Sequence, residues 1–282
     1  MAIGNAFFVS EIPHTDVSER ILLLLMLLAS ALNTLAIMIM IGNSRWKGLR
    51  LAAVTVLEIY GIQFFLSQIE TLWFNKALGL PMNLIYALFA GGLITAVLFS
   101  PLAVWTMNGF KPSAAERITL RQPGMKNLIF RVTILVVLVY PLLYFLAGYF
   151  IAWQFEPVRM QYSGSPEMKS FWEMMRFNIV NGLWLWQIAR GLLWVLIAWP
   201  VLVMVRGSFL RKGIILGLLF AVLMNAQHLL PNPYMPRIMQ LAHGIETASS
   251  NFLWGLAVAW LLDPSLTNKK NPENVDPEGL TA

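Results

Sequence analysis

A chain that repeatedly runs for twenty or more residues with almost no charge has its fold class decided by that pattern. Such a run is what an α-helix needs to cross a bilayer core about 30 Å thick, and in lipid each backbone N–H and C=O must be satisfied within the segment itself. Seven runs of this kind can be read near 17–41, 51–74, 82–107, 127–154, 178–205, 213–230 and 240–262. They predict an all-α polytopic transmembrane bundle of seven spans, a single helical domain over 1–262. Composition excludes the soluble alternative: 58% of residues are hydrophobic and only 12% charged, against about 25% charged in soluble domains. Pro231, Pro233 and Pro236 between the sixth and seventh runs stop one helix from continuing into the other, which predicts a tight hairpin there.

Lys and Arg set the expected orientation, because cytoplasmic loops retain positive charge. The segments after spans one, three, five and seven hold Arg45, Lys47, Arg50, Lys111, Arg117, Arg121, Lys126, Arg206, Arg211, Lys212, Lys269 and Lys270, which is twelve cations. The opposite side holds six: Arg20, Lys76, Arg159, Lys169, Arg176 and Arg237. This bias predicts the N-terminus outside and the C-terminus cytoplasmic, as for a bacterial cytoplasmic (inner) membrane. Trp46, Trp73, Trp105, Trp153, Trp172 and Trp260 fall near span ends, where amphipathic rings prefer to sit. The net charge of +6 is therefore topological, and no nucleic-acid footprint is expected. With no cysteine, disulfides and thiolate chemistry are excluded.

Ile21 to Leu28 followed by Ala29, Ser30 and Ala31 imitates a signal-peptide core, but Glu11, Asp16 and Glu19 precede it against a lone Arg20, so it reads as a first span. Residues 263–282 are polar and free of aromatics, and predict a disordered cytoplasmic tail. In the external loop 155–177, Ser165 followed by Pro166 and Glu167 predicts a cap. Met168, Phe171, Trp172 and Met175 beyond it predict a short amphipathic helix, a lid or an interfacial rest.

The informative residues are the polar ones inside the runs, since an ionisable side chain at mid-bilayer costs at least about 2.5–3.5 kcal/mol. Gln63, Ser67 and Glu70 share a stripe of span two at i, i+4 and i+7. Span five carries Gln187 and Arg190, span six Asn225 and His228, and span seven His243, Glu246, Thr247, Ser250 and Asn251 on one face. At 1.5 Å per residue, Glu70, His228, His243 and Glu246 lie about 3–10 Å below the outer ends of their spans, Gln187 about 13 Å and Arg190 about 18 Å. Four helices with costly groups at overlapping depth predict a polar pocket between spans two, five, six and seven. Its expected members are Gln63, Glu70, Gln187, Arg190, Asn225, His228, His243, Glu246 and Asn251. The same groups also suit plain interhelical pairing, with Arg190 neutralising Glu246 or Glu70. Glu58, in the other half of span two, is expected to be hydrated, bonded to Arg50 or protonated.

Three functional readings follow. In the first, the outer-leaflet pocket binds a small polar or lipidic ligand, as a binding protein or a transport component, without a cofactor. In the second, His228, His243 and Glu246 hold zinc or another divalent metal in an intramembrane hydrolase or lipid-modifying enzyme, although no HExxH is present. In the third, the polar face contacts another membrane protein. Arg206-Gly207, Phe220, His228, Asn251-Phe252, Gly255 and Trp260 resemble the later part of the intramembrane proteases related to the type II CAAX enzymes. That family places paired glutamates four and five residues before the arginine, where this chain has Leu202 and Val201. Its final histidine helix has no counterpart beyond Trp260, so the acidic pair that the resemblance implies for activating water is missing.

Overall fold

A computed structural model describes residues 17–107, 109–110 and 124–263. The described residues are helical, without a strand. In chain order the helices are α1 (Glu19–Gly42), α2 (Gly48–Leu78), α3 (Met82–Thr106), α4 (Met125–Gln154), α5 (Glu156–Ser163), α6 (Phe171–Val180), α7 (Leu183–Met204), α8 (Phe209–Leu229) and α9 (Arg237–Leu262). Six of them, α1, α2, α3, α4, α7 and α8, are long and apolar enough to cross a membrane, and the chain is a helical membrane protein. The seventh run forms α9, which is long enough but is not among the six. Its first half carries Arg237, Gln240, His243 and Glu246, and these lower its apolar content.

The loop expected at 155–177 is corrected in two places. Residues 156–163 form α5, opened by Pro157 in the first turn and closed by Gly164. Ser165 does not cap a helix: its hydroxyl accepts from the Glu167 N–H at 3.2 Å, a local turn. The amphipathic helix starts six residues later, where Ser170 and Glu173 form a reciprocal capping box. Span five likewise begins at Leu183 and not at 178, because Gly182 at φ 75° turns the chain between α6 and α7. The expected 263–282 tail beyond Asp263, and the cations Lys111, Arg117, Arg121, Lys269 and Lys270, lie outside the described residues.

The antiparallel pair α8 and α9 forms the most extensive helix contact. Gly213 and Gly217 on α8 face Gly255 and Ala259 on α9, so the backbones touch with no side chain between them. One end of the bundle is stitched by polar contacts. Ser44 and Val205 form an antiparallel bridge, the Arg206 N–H donates to the Asn43 carbonyl at 3.0 Å, and Lys212 Nζ meets Asp263 Oδ1 at 2.7 Å in a fully buried ion pair. Between that end and the opposite one the core is filled by Trp194, Trp254, Phe220 and Leu216, none of them exposed. Glu58 is also fully buried, and neither of its oxygens has a hydrogen-bond partner. The Arg50 guanidinium instead lies 3.4 Å over the Trp46 ring.

A Cβ added to Gly255 would lie 2.3 Å from the Gly217 backbone nitrogen, so a side chain there forces the two helices apart. Gly255→Val is expected to cost more than about 3 kcal/mol, beyond ordinary overpacking, and to lower the thermal unfolding midpoint in detergent sharply. Gly244→Ala, whose added carbon finds only ordinary contact with His228, is expected to leave that midpoint unchanged or higher.

Candidate functional site

At the end of the bundle opposite the Lys212–Asp263 pair, a cavity of about 350 Å³ opens between α2, α4, α5, α6, α8 and α9. Its polar side is made by Glu70 and Ser67 of α2, Gln227 and His228 of α8, and His243 and Glu246 of α9. Its apolar side is largely aromatic, with Phe74, Tyr144, Phe145, Tyr149, Trp153 and Tyr162.

Several contacts hold this frame open. The α8 to α9 turn brings His228 back beside Gly244, and the Arg237 guanidinium donates to the His228 carbonyl at 3.0 Å. Gln227 Nε2 donates to Ser67 Oγ at 3.1 Å and fixes α8 against α2. Arg159 donates to the carbonyls of Trp153, Gln154 and Pro166, which folds α5 and the following loop over the opening. Tyr162 on α5 then meets the Phe74 and His243 rings edge-on at 5.6 and 5.7 Å. Burial, with Glu246 and Glu70 close by, pushes the Tyr162 phenol up.

Two charge pairs organise the polar side. Arg190 reaches from α7 to Glu70 in a two-pronged contact, 2.8 Å to Oε1 and 2.7 Å to Oε2, and donates a third bond to Gln187 Oε1 at 3.2 Å. The partner of Arg190 is thus Glu70 and not Glu246. Behind this pair lies a second chamber of about 20 Å³, bounded by Tyr140, Tyr144, Arg190, Ser250 and Asn251, room for about one water molecule. In the other pair, His243 Nδ1 is 2.9 Å from Glu246 Oε2, one turn apart on α9. A carboxylate at that distance assigns a proton to Nδ1. Among the described residues, His243 Nε2 and Trp153 Nε1 are buried without a hydrogen-bond partner, and both residues line the large cavity.

Of the nine expected pocket residues, Glu70, His228, His243 and Glu246 line the large cavity, while Arg190 and Asn251 line the small chamber behind it. Gln187 is buried and serves Arg190 without lining either. Asn225 acts between helices: it accepts a hydrogen bond from the Thr247 hydroxyl and donates to the Ala221 carbonyl. Gln63 lines neither space, because it falls inside a π-helical stretch, Ile59–Leu66, where the 3.6-residue period behind the Gln63–Ser67–Glu70 stripe does not hold. The expected frame also changes, since α4 and α5 supply walls beside those of α2, and α7 reaches the large cavity only through Leu183. The aromatic residues of α4 gave no signal in sequence, because lipid-facing and cavity-facing rings look alike there. The one clue was small residues, Gly148 and Ala152, set among them at i and i+4.

Among the described residues no three His, Cys, Asp or Glu side chains gather to hold a metal. Glu246 orients His243 through Nδ1, which makes a three-donor set of His228, His243 and Glu246 a poor fit to this geometry. Compared with family models, with curated proteins and with solved structures, the chain finds no match.

Removing one member of a buried charge pair strands the other. Arg190→Leu or Glu70→Leu alone is expected to cost about 3–5 kcal/mol, and the double replacement to recover most of that loss, read as thermal unfolding midpoints in one detergent. A second outcome concerns α6. The Ser170 hydroxyl and N–H hold Glu173 below the usual carboxylate range. A group lowered in this way stabilises above its unfolded value and loses that contribution as pH falls through the folded one. The protection factors of the Ser170 and Glu173 amides, exchange corrected for its intrinsic pH dependence, should therefore fall on acidification below the usual carboxylate range and stay constant above it.

Proposed function

We propose that this protein is a seven-span protein of a bacterial-type cytoplasmic membrane, with α9 as the seventh span, the N-terminus outside and the C-terminus inside. Its function on this reading is to bind a lipidic ligand in the outer-leaflet cavity. The observation that carries the reading is the lining itself: an aromatic space that ends in buried imidazole and indole nitrogens, His243 Nε2 and Trp153 Nε1, with no partner in the protein. Buried polar atoms are costly when unpaired, and these share one cavity that a ligand can fill.

The route of entry supports a ligand drawn from the bilayer. α6 places Met174 and Phe177 on the cavity and turns Trp172, Ile179 and Val180 outward, each more than half exposed. Such a helix rests in the membrane interface and covers the opening from the lipid side. Phe171 packs edge-on against Phe145 and Tyr149 of α4 at 5.1 and 5.3 Å, so the lid is hinged on the cavity wall. Binding is favoured over passage through the bundle. Beneath the cavity stand the unexposed Trp194, Trp254 and Phe220, and the far end is closed by Lys212 and Asp263.

One observation favours a second reading in the same space. A carboxylate-oriented imidazole on a cavity wall is also the arrangement of a general base, so a lipid-modifying activity would use His243 as its proton acceptor.

The test is native mass spectrometry of the protein released from lipid nanodiscs. A bound lipid is expected on the wild type and lost in Gly148→Leu, since a side chain at 148 enters the cavity beside Glu246 Oε1. Ala77→Phe, at the mouth, is expected to act the same way if Gly148→Leu unfolds. A wild-type protein that carries no lipid, or carries it equally with both fillers, would overturn the reading.

A further inference from the structure

We propose that the polar head of the cavity's ligand is an organic cation, a protonated amine or quaternary ammonium carried on an apolar body. This deepens the lipid-binding reading above and rests on it.

The argument is one of charge balance in a space walled by aromatic rings. Glu70 is matched by the two-pronged contact with Arg190. Glu246 is not matched in the same way. It is 5% exposed and lines the cavity, and its Oε2 takes a hydrogen bond from His243. His243 covers that one oxygen and leaves the rest of the carboxylate uncovered. The other oxygen, Oε1, makes no hydrogen bond among the described residues and lies on the Gly148 side, 3.3 Å from where a Cβ at 148 would stand. The absent side chain at Gly148 therefore leaves Oε1 open to the cavity.

The cavity's own cations do not answer this carboxylate. Lys76 lies six residues beyond Glu70 toward the end of α2, about 9 Å along the axis, and Lys169 Nζ lies over the Phe177 ring at 4.7 Å. Among the described residues neither forms an ion pair. Aromatic residues line the same cavity: Tyr144 and Tyr149 stand on either side of Gly148 in the α4 sequence, and Tyr162 meets the His243 ring edge-on. The upward push on the Tyr162 phenol comes from burial first and then from Glu246 and Glu70, so the field of the Glu246 carboxylate reaches the cavity wall. Aromatic faces around a carboxylate, with water largely excluded, attract an ammonium twice over, through the ring quadrupoles and through the charge. An anionic head would be repelled by the same field, and a neutral alcohol would leave it uncompensated.

The experiment compares three probes of equal chain length, dodecyltrimethylammonium, dodecanol and dodecyl phosphate, binding to the whole chain in a neutral detergent, read by native mass spectrometry. The ammonium probe is expected to bind at least about tenfold tighter than dodecanol. Glu246→Gln is expected to abolish that preference while dodecanol binding persists, and Glu246→Asp to retain it. If Glu246→Gln does not fold, Tyr162→Leu should lower the ammonium preference and spare dodecanol. Equal or tighter binding of dodecanol or dodecyl phosphate to the wild type, or an undiminished preference in Glu246→Gln, overturns the cationic head and leaves the cavity reading standing. Absence of binding by every probe, or binding unaffected by Gly148→Leu, overturns both.

Discussion

The paired contact between Arg190 and Glu70 is the constraint around which the rest is arranged. Both side chains sit in the apolar span of their helices, where either one alone is expensive. The pairing ties the middle of α7 to α2, with Gln187 one turn before Arg190 supplying a further acceptor. Once Glu70 is committed to α7, it can present only one edge to the large cavity, and its other edge closes the small chamber with Tyr144 and Asn251. The pair therefore forms the floor between the two spaces, and it leaves Glu246 as the carboxylate with room beside it.

A second constraint acts through the backbone. α2 and α4 both depart from α geometry, over Ile59–Leu66 and Leu135–Val139. Each π stretch ends just before the residues that line the two spaces, Ser67 and Glu70 in one case and Tyr140 and Tyr144 in the other. Wider turns rotate everything beyond them, so these stretches decide which residues of the cavity-side half face inward. In α2 the close fit of Phe64 against Gly92, where an added Cβ would meet the ring at 2.2 Å, holds the shifted register in place.

Much of the fold was legible because hydrophobic length is a local signal. The apolar runs became helices with ends shifted by a few residues, and the proline hairpin before α9 stands where the sequence put it. The site was half legible. Ionisable residues announce themselves in an apolar run, and Glu70, His228, His243 and Glu246 do converge, with Arg190 directly behind. Stripe arithmetic failed at Gln63, because a π stretch cannot be read from composition. Asn225 was misassigned because an amide that bonds the next helix looks like an amide that bonds a ligand. The walls from α4 and α5 were invisible for a different reason. A tyrosine in a span carries no mark of whether lipid or a cavity lies beyond it, and α5 is too short and too polar to give a hydrophobic period.

The depth at which the cavity stops bears on what kind of protein this is. Transport needs two arrangements of comparable free energy, each open to one side. Here the half of the bundle away from the cavity is held by interactions that do not break one at a time. Gly217 and Gly255 bring α8 and α9 into backbone contact, Lys212 and Asp263 are both fully buried, and Arg131 donates across to the Leu261 carbonyl at 3.0 Å. Opening that end would strand two buried charges and separate the tightest helix pair in the molecule. The opposite end is roofed by α5 and α6, joined through the loop that Arg159 gathers and resting on aromatic edges. Edge contacts and exposed capping bonds can be exchanged for lipid contacts at small cost. The asymmetry of stiffness thus runs along the bundle axis, and motion belongs at the cavity end.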